Sequence, residues 1–191
     1  MIPERIDLLG QVIRDRIEKV YGRIQPTRTV DAVLVYNRDS LDRNFLYMTG
    51  LDTGVFENCG LVFERNGRMY IFATTLEEEI LKSIEEYAKI MVYKDKQERN
   101  DTLKKILSKY KTIGISFDSA SHSLYLQLKE LLDDVEFVDI GNAFKAARMI
   151  KSEDEIEKIK ATLADLTIEK YHICDVYTQR PSVERWMGGS L

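Results

Sequence analysis

Hydrophobic residues near the start of the chain recur every three or four positions, which is the spacing of one face of an α-helix. Gly22 and Pro26 follow this stretch, and both residue types end helices. The pattern therefore predicts an amphipathic helix that packs one face against a core. The residues on that face are Ile6, Leu9, Ile13, Ile17 and Val20.

Continuous apolar runs follow and predict three short β-strands, at residues 32–36, 59–63 and 69–73. The first run reads Ala-Val-Leu-Val-Tyr, which is typical of an interior strand covered on both faces. Asn66-Gly67 separates the other two runs and favours a hairpin, because both positions of such a turn take positive φ.

Helical and strand patterns then alternate to about residue 150. A half-buried strand is expected where Ile113, Ile115 and Phe117 alternate with smaller residues. Helices are also expected at Thr74 or Thr75 (with Leu76, Ile80, Ile84 and Tyr87 inward), at Asn100 or Asp101, at Ser119 or Ser121 and up to Met149, and strands at 90–93 and 135–140. A hairpin followed by this alternation predicts an α/β domain, with a mixed sheet of about six strands and helices on both faces.

A long charged segment begins after residue 150 and predicts a further helix. Ser152 and Glu155 have the spacing of a capping box, and an apolar stripe follows them. We place a domain boundary here, between residues 1–150 and 151–191. Such a stripe is normally buried, so we expect it to fold back, dimerise or stay mobile, and predict a dimer that uses this surface. The stripe consists of Ile156, Ile159, Leu163 and Leu166.

Charge and composition exclude several classes of partner. Lys and Arg number 28 against 32 Asp and Glu, which argues against nucleic acid as the main partner. No apolar run approaches the roughly 18 residues that a membrane span requires, and the first ten residues lack the apolar core of a signal peptide. Cys59 and Cys174 are too far apart to suggest a CxxC pair, so we expect reduced thiols and a cytoplasmic protein.

Common catalytic motifs are missing from the sequence: there is no GxGxxG, GxxxxGK[ST], HExxH or GxSxG. The two histidines, His122 and His172, and the two cysteines lie too far apart for a zinc site of ordinary spacing. Asp118, Ser121 and His122 fall within one helix start, where they cannot align as nucleophile, base and orienting acid. We therefore expect His122 to be a surface or capping residue.

Acidic residues cluster in two places. Asp39, Asp42 and Asp52 surround a turn-rich segment, where they could hold a divalent cation but more often form Asx-turns and helix caps. An unrelated α/β enzyme with a carboxylate metal site at Asp39 and Asp42 stays open as a minor alternative. The run Glu77-Glu78-Glu79 is expected to be a solvated helix face.

The segment between the first two strands mixes aromatic, hydroxyl, amide and carboxylate side chains. We interpret it as a loop, and loops of this composition can line a pocket for a small polar ligand. The candidate residues are Tyr47, Thr49, Glu57 and Asn58.

Two segments together resemble a known family. Asn44-x-x-Tyr47-x-Thr49-Gly50, after a buried strand, is similar to the N-x-x-Y-x-[ST]-G stretch of the creatinase/prolidase N-terminal domain. Residues 147–160, Ala-Arg-Met-Ile-Lys-Ser-x-x-Glu-Ile-x-x-Ile-Lys, resemble the linker from that domain to a pita-bread metallopeptidase domain. The resemblance covers most of residues 1–160 and implies a ribonuclease H-like fold followed by a long linker helix.

The resemblance implies an Xaa-Pro dipeptidase (prolidase) or aminopeptidase P, both hydrolases. In that family two divalent metal ions (Mn, Co or Zn) are bound in the following domain by two Asp, one His and two Glu, and they activate the attacking water. Residues 160–191 resemble the opening of that domain, but none matches a metal ligand, so we assign no catalytic or metal residue to this chain and expect it to be inactive by itself.

The N-terminal domain of the family supports dimerisation and closes one side of the substrate pocket. The resemblance thus implies a homodimer, a proline-containing dipeptide or peptide as substrate of the intact enzyme, and Tyr47, Thr49, Glu57 and Asn58 as residues that face the partner's pocket. The alternative is a stand-alone module that binds peptides or proteins without catalysis. Dipeptidase or aminopeptidase, metal identity and the origin of the chain's end stay open at this point.

Overall fold

The computed structural model describes residues 3–38, 41–51, 54 and 56–169. The described residues up to Met149 form one compact unit, and those from Ile150 onward belong to a second. The first unit contains α1 (Pro3–Tyr21), β1 (Ala32–Asn37), α2 (Arg43–Thr49), β2 (Cys59–Glu64), β3 (Met69–Thr74), α3 (Glu78–Leu81) with a 3₁₀ turn (Lys82–Ile84), β4 (Lys89–Tyr93), α4 (Lys96–Leu107), β5 (Thr112–Ile115), α5 (His122–Leu131), β6 (Glu136–Asp139) and α6 (Gly141–Met149). The second contains α7 (Glu153–Glu169).

The strands form one six-stranded sheet in the order β4-β3-β2-β1-β5-β6. β1, β2 and β3 pair antiparallel, as the predicted hairpin requires, whereas β3–β4, β1–β5 and β5–β6 pair parallel. In the parallel β1–β5 pair Leu34 lies opposite Ile115, so the carboxyl ends of the two strands lie side by side.

Two apolar layers cover the sheet, because side chains alternate between its faces along each strand. Val33 and Val35 of β1 pack with α1, α2, α3 and α6 on one face. Leu34, between them, packs with α4 and α5 on the other face. The predicted mixed six-stranded sheet with helices on both faces is confirmed, and β1 is the interior strand that its apolar run indicates.

Four local predictions are wrong. The segment expected to be a loop contains α2, which is capped by Asp42 at its start and by Gly50 at its end, where a φ of 70° closes the helix. α4 begins at Lys96, about one turn before Asn100, because the Asp95 carboxylate caps it. β5 is buried on both faces rather than half-buried and ends at Ile115, before Phe117.

The fourth correction concerns the helix expected after Thr74. It is a short α3 followed by a 3₁₀ turn, and Leu76 is 85% exposed instead of facing inward. Glu77 is only 5% exposed, and its carboxylate accepts a hydrogen bond from the Thr74 hydroxyl. Glu77 is therefore not part of a solvated face, although Glu78 and Glu79 are exposed.

In the second unit the predicted pairing of Ser152 with Glu155 is confirmed. The Glu155 carboxylate accepts hydrogen bonds from the backbone N–H and the hydroxyl of Ser152, both at 3.0 Å. Ile159 and Leu163 of the predicted stripe are exposed. The predictions for Asp39, Asp52, His172, Cys174 and the side chain of Leu166 lie outside the described residues. No helix within the described ranges is both long and apolar enough to cross a bilayer.

Candidate functional site

A cleft of about 550 Å³ opens where β1 and β5 end side by side. After β1 the chain enters α2, on one face of the sheet, and after β5 it enters α5, on the other face. Neighbouring parallel strands whose connections diverge in this way leave a crevice at their carboxyl ends, where open α/β sheets bind ligands. We call it the carboxyl-end cleft; its polar walls contain Arg38, Arg43, Asn44, Ser116, Asp118 and Lys145.

Hydrogen bonds hold the first wall of the cleft, between β1 and α2, in place. The fully buried Asn37 accepts the backbone N–H of Asp42 through its side-chain oxygen at 2.8 Å. The Asp42 carboxylate in turn accepts the N–H of Asn44 at 2.7 Å and caps α2. Asp42 thus serves as a helix cap, in agreement with the Asx-turn interpretation.

Two side-chain contacts link the opposite walls. The Arg38 guanidinium donates to the Ser123 hydroxyl of α5 at 2.6 Å. Lys145 of α6 lies 2.7 Å from the Asp118 carboxylate, and both side chains are about half exposed. The cleft therefore has polar walls whose charged groups can exchange these contacts for contacts with a ligand.

Positive charge predominates in the cleft, although the chain as a whole is acidic. Among the residues that the structure describes, four cationic side chains and two carboxylates line it. The cations are Arg38, Arg43, Lys145 and Arg148, and the carboxylates are Asp42 and Asp118. Exposed cationic groups in a concave site attract anionic ligands.

The floor of the cleft carries buried polar oxygens. Asn44 is 5% exposed and its Oδ1 accepts no hydrogen bond, while Ser116 is 6% exposed. A Cβ atom on Gly141 would lie 2.6 Å from Asp118 Oδ2 and 3.2 Å from Ser116 Oγ, so any larger residue would crowd these two oxygens. An unsatisfied buried acceptor costs roughly 1–3 kcal/mol, and a donor from a ligand would recover part of it.

A second set of polar groups, near the end of β1, is hydrogen-bonded within itself. The Asn37 amide donates to Cys59 Sγ, and the Cys59 thiol donates to the Phe56 carbonyl at 3.1 Å. Burial raises the pKa of the Cys59 thiol to about 12, so the thiol stays protonated and unreactive at neutral pH. Cys59 is therefore a small buried residue of the core.

Of the four sequence-predicted site residues, Tyr47 and Thr49 lie in the core of the domain. Tyr47 is 8% exposed, with the Arg16 guanidinium 5.0 Å from its ring centre and its hydroxyl 3.5 Å from the Ala147 carbonyl. Thr49 is fully buried and donates to the Phe45 carbonyl at 2.9 Å. These contacts account for the Tyr-x-Thr spacing through packing within the domain.

The other two lie just before β2. Glu57 is exposed, whereas Asn58 is half-buried, with a positive φ of 53°. The Asn58 N–H donates to the Arg38 carbonyl at 3.2 Å, and its carbonyl accepts the Tyr93 hydroxyl. None of the four residues lines the carboxyl-end cleft, and the prediction that they face a partner's pocket stays a prediction.

Asp118, Ser121 and His122 are not arranged as a catalytic triad. His122 is exposed, Ser121 caps α5 by accepting the Leu124 N–H at 3.2 Å, and Asp118 pairs with Lys145. In the described part of the chain no three His, Cys, Asp or Glu side chains are grouped so as to hold a metal ion. These residues therefore do not fit the two divalent metals that the resemblance implies for the intact enzyme.

Sequence reasoning missed the cleft because its walls come from segments about 80 residues apart. Asn44, Ser116 and Asp118 meet only through the pairing of β1 with β5. The available signal was that polar residues follow both apolar strands, at Arg38 and at Ser116. Since no local pattern specifies which strands are neighbours, that signal did not locate a site.

The open mixed sheet, with a cleft where the connections after β1 and β5 leave for opposite faces, defines the class of protein. It is a layered α/β domain with a crevice of the kind that binds ligands. The chain belongs to the creatinase/prolidase N-terminal domain family, whose model matches residues 16–150. The resemblance to this N-terminal domain is thereby confirmed. A search among curated protein sequences gave no match.

Solved structures of Xaa-Pro peptidases have the same fold. The Xaa-Pro dipeptidase from Bacillus anthracis is 18% identical, with a TM-score of 0.64 over 82% of this chain and 42% of that one. The X-Pro aminopeptidase from Thermotoga maritima MSB8 is 25% identical, with a TM-score of 0.61 over 77% of this chain and 38% of that one. The chain thus spans about two fifths of the length of these two proteins.

One similar structure is a domain of comparable size. The creatinase/prolidase N-terminal domain of an X-Pro dipeptidase from Streptococcus pyogenes is 15% identical, with a TM-score of 0.51 over 66% of this chain and 98% of that one. The match over nearly its whole length shows that this chain contains a domain of that fold.

Proposed function

We propose that residues 1–150 form the non-catalytic N-terminal domain of an Xaa-Pro dipeptidase-like metallopeptidase of the cytoplasm. In this proposal the domain supports homodimer formation and closes one side of a substrate pocket for a proline-containing dipeptide or peptide. The two divalent metal ions and the hydrolytic chemistry belong to a following domain, which residues 151–191 begin.

The observation that carries this proposal is the family match over residues 16–150, combined with the fold shared with two full-length Xaa-Pro peptidases. Both matches account for only about two fifths of those proteins, so their remaining parts contain segments that this chain does not match.

Pocket closure is proposed for the segment around Glu57. Phe56 is fully buried and its ring lies 5.1 Å from that of Phe45, while Asn58 is held by Arg38 and Tyr93. This anchoring on both sides leaves the exposed Glu57 carboxylate on a well-supported turn. A rigid turn with one projecting charged side chain is suited to contact with a substrate pocket on a neighbouring subunit.

The test is a hydrolysis assay of the purified 191-residue chain with Xaa-Pro dipeptides and added Mn²⁺ or Co²⁺. We expect no turnover, together with a dimer mass in light scattering, twice the 22.2 kDa of one chain. Turnover by the pure chain contradicts the non-catalytic role, and a monomer at high protein concentration contradicts the role in dimerisation. Peptide binding by a monomer without turnover would favour the stand-alone binding module instead.

A further inference from the structure

We propose that the carboxyl-end cleft binds a small organic carboxylate that also carries a hydroxyl or amino group. The proposal concerns residues of the first unit only, and it does not depend on whether the domain supports dimerisation or closes a catalytic pocket. It rests on the division of the cleft into a cationic rim and an acceptor-rich floor.

The rim provides the binding partners for the anionic end of the ligand. Arg43 and Lys145 are exposed and project from helices on two sides of the cleft. Lys145 already holds a carboxylate oxygen of Asp118 at 2.7 Å, which shows that a carboxylate can take this position. Since the Lys145–Asp118 pair is about half exposed, breaking it in favour of a ligand costs little.

The floor provides acceptors for a donor group on the same ligand. Asn44 Oδ1 is buried and has no donor, and Ser116 Oγ and Asp118 Oδ2 converge at Gly141, where a Cβ atom would fill the space between them. A hydroxyl or ammonium group entering here would find acceptors, whereas a simple anion would meet the negative charge of Asp118. The floor therefore selects a ligand with both an acidic and a donor group.

The size of the cleft fits such a molecule. Its volume of about 550 Å³ is within the usual range of small-molecule sites. Arg43 and Lys145 suit one or two carboxylates, while Asp42 and Asp118 would repel a more highly charged phosphate. On these grounds the carboxylate is favoured over a phosphate group.

Three ligands of the same carbon skeleton test the proposal: lactate, alanine and propionate, which carry a hydroxyl, an ammonium or no donor beside the carboxylate. Titration of each into ¹⁵N-labelled protein, followed by NMR, gives the affinity and the location. We expect lactate or alanine to bind about three- to tenfold more tightly than propionate, which is the usual effect of one added hydrogen bond. The shifted amides should lie in α2, at the start of α5 and in α6.

Two substitutions test which residues bind the carboxylate end and the donor end of the ligand. Arg43→Ala should weaken all three ligands, whereas Arg65→Ala, an equal charge change at the exposed Asn66-Gly67 hairpin, should leave their affinities unchanged. Asn44→Leu should reduce the preference for lactate or alanine over propionate without abolishing propionate binding. Because the wild-type shift map locates the ligand without any variant, the proposal can be tested even if Asn44→Leu does not fold.

Three outcomes overturn the proposal: equal affinity for all three ligands, shifts spread over the surface, or tighter binding of inorganic phosphate than of lactate. The last outcome would assign the cleft to a phosphate group. None of these results bears on the hydrolysis assay or the dimer mass, so failure of this inference is separate from failure of the proposed function.

Discussion

The two ends of the parallel strands β1 and β5 hold polar side chains in opposite ways. Where these strands begin, Glu64 accepts the Tyr110 hydroxyl at 2.5 Å, and Lys109 Nζ lies 3.5 Å from the same carboxylate oxygen and donates to the Tyr70 hydroxyl at 2.9 Å. Asp31 accepts the backbone N–H groups of Lys111 and Thr112 at 2.9 and 3.0 Å. We call this set, Asp31, Glu64, Tyr70, Lys109 and Tyr110, the amino-end cluster.

In the carboxyl-end cleft, where the same strands end, the polar side chains do not satisfy all of one another's hydrogen bonds. Asn44 Oδ1 is buried without a donor, and the charged residues of the walls enclose open space. The contrast follows from topology, because the chain enters β5 through a tight turn after α4, whereas the connections after β1 and β5 diverge to opposite faces. Polar groups whose hydrogen bonds are all made within the protein stabilise the fold. A polar group in a cleft that lacks a partner is available to a ligand.

The largest expected effect comes from the apolar layer that supports both ends. Phe63 is fully buried, with the rings of Tyr21 and Phe144 at 6.0 and 6.3 Å. Phe63→Ala should lower the free energy of unfolding by about 3–5 kcal/mol, through lost burial and the cavity left behind. Urea denaturation measures this, with the exposed Leu126→Ala as the control, expected within about 0.5 kcal/mol of wild type. A loss below about 1 kcal/mol for Phe63→Ala would contradict the packing described.

A smaller effect tests whether the amino-end cluster is saturated and structural. Tyr110→Phe removes the hydroxyl that donates to the Glu64 carboxylate and should cost about 1–2 kcal/mol, because hydrogen bonds to charged groups are worth more than neutral ones. The same measurement on Tyr125→Phe provides the control, since the ring of Tyr125 packs between Phe117 and Phe137 and is retained. Equal effects of the two substitutions would mean that the cluster adds nothing specific.

The third prediction concerns the start of α4, near the carboxyl end of β4. Asp95 accepts the Glu98 N–H at 2.9 Å, so Asp95→Ala should cost about 1 kcal/mol as the loss of an N-cap. Asp101→Ala, the position that the sequence pattern favoured, removes only an exposed contact with Gln97 and should cost less than about 0.5 kcal/mol. If the order of these two effects were reversed, α4 would begin where the sequence analysis placed it.

Some elements of this fold could be predicted from the sequence and others could not. The interior strands could be predicted because an apolar run such as residues 32–36 has few alternatives in a layered domain. The short helix α2 could not, because its seven residues span about two turns, too few to establish a period. Its identity depends on the Asp42 cap and on Gly50, two signals that the pattern of a polar loop also contains.

The candidate site was beyond local reasoning for a related reason. Burial of Tyr47, Thr49 and Glu77 is decided by which elements pack over them. Thr49 and Glu77 find hydrogen-bond partners a few residues away, whereas the Tyr47 hydroxyl lies near the carbonyl of the distant Ala147. The family resemblance, in contrast, needed only two short motifs, because residues 44–50 and 147–160 keep their spacing whatever the tertiary contacts. Fold and family were therefore accessible from the sequence, whereas the cleft required the strand order.

The smallest effect is confined to acid pH and tests the amino-end cluster without altering its packing. Burial acts to raise the pKa of Glu64, but hydrogen bonds from Tyr110 and Asn66 and the charges of Arg68 and Lys109 outweigh it, so the pKa is lowered. Burial and the Glu64 carboxylate raise the pKa of Tyr110 to about 12, so its hydroxyl remains a donor throughout the acid range.

A carboxyl whose pKa is lowered on folding stabilises the folded state above its unfolded pKa of about 4.3, and this contribution is lost as the pH falls through the lower folded value. Glu64→Gln, which cannot titrate, should therefore show a shallower loss of stability than wild type as the pH falls below about 5. Urea denaturation at several pH values measures both curves. Tyr110→Phe should fall between them, because it removes one of the bonds that lower the pKa. Parallel curves for wild type and Glu64→Gln would show that the carboxylate is no better bound in the folded state than in the unfolded chain, and the contrast between the two ends of the strands would then rest on geometry alone.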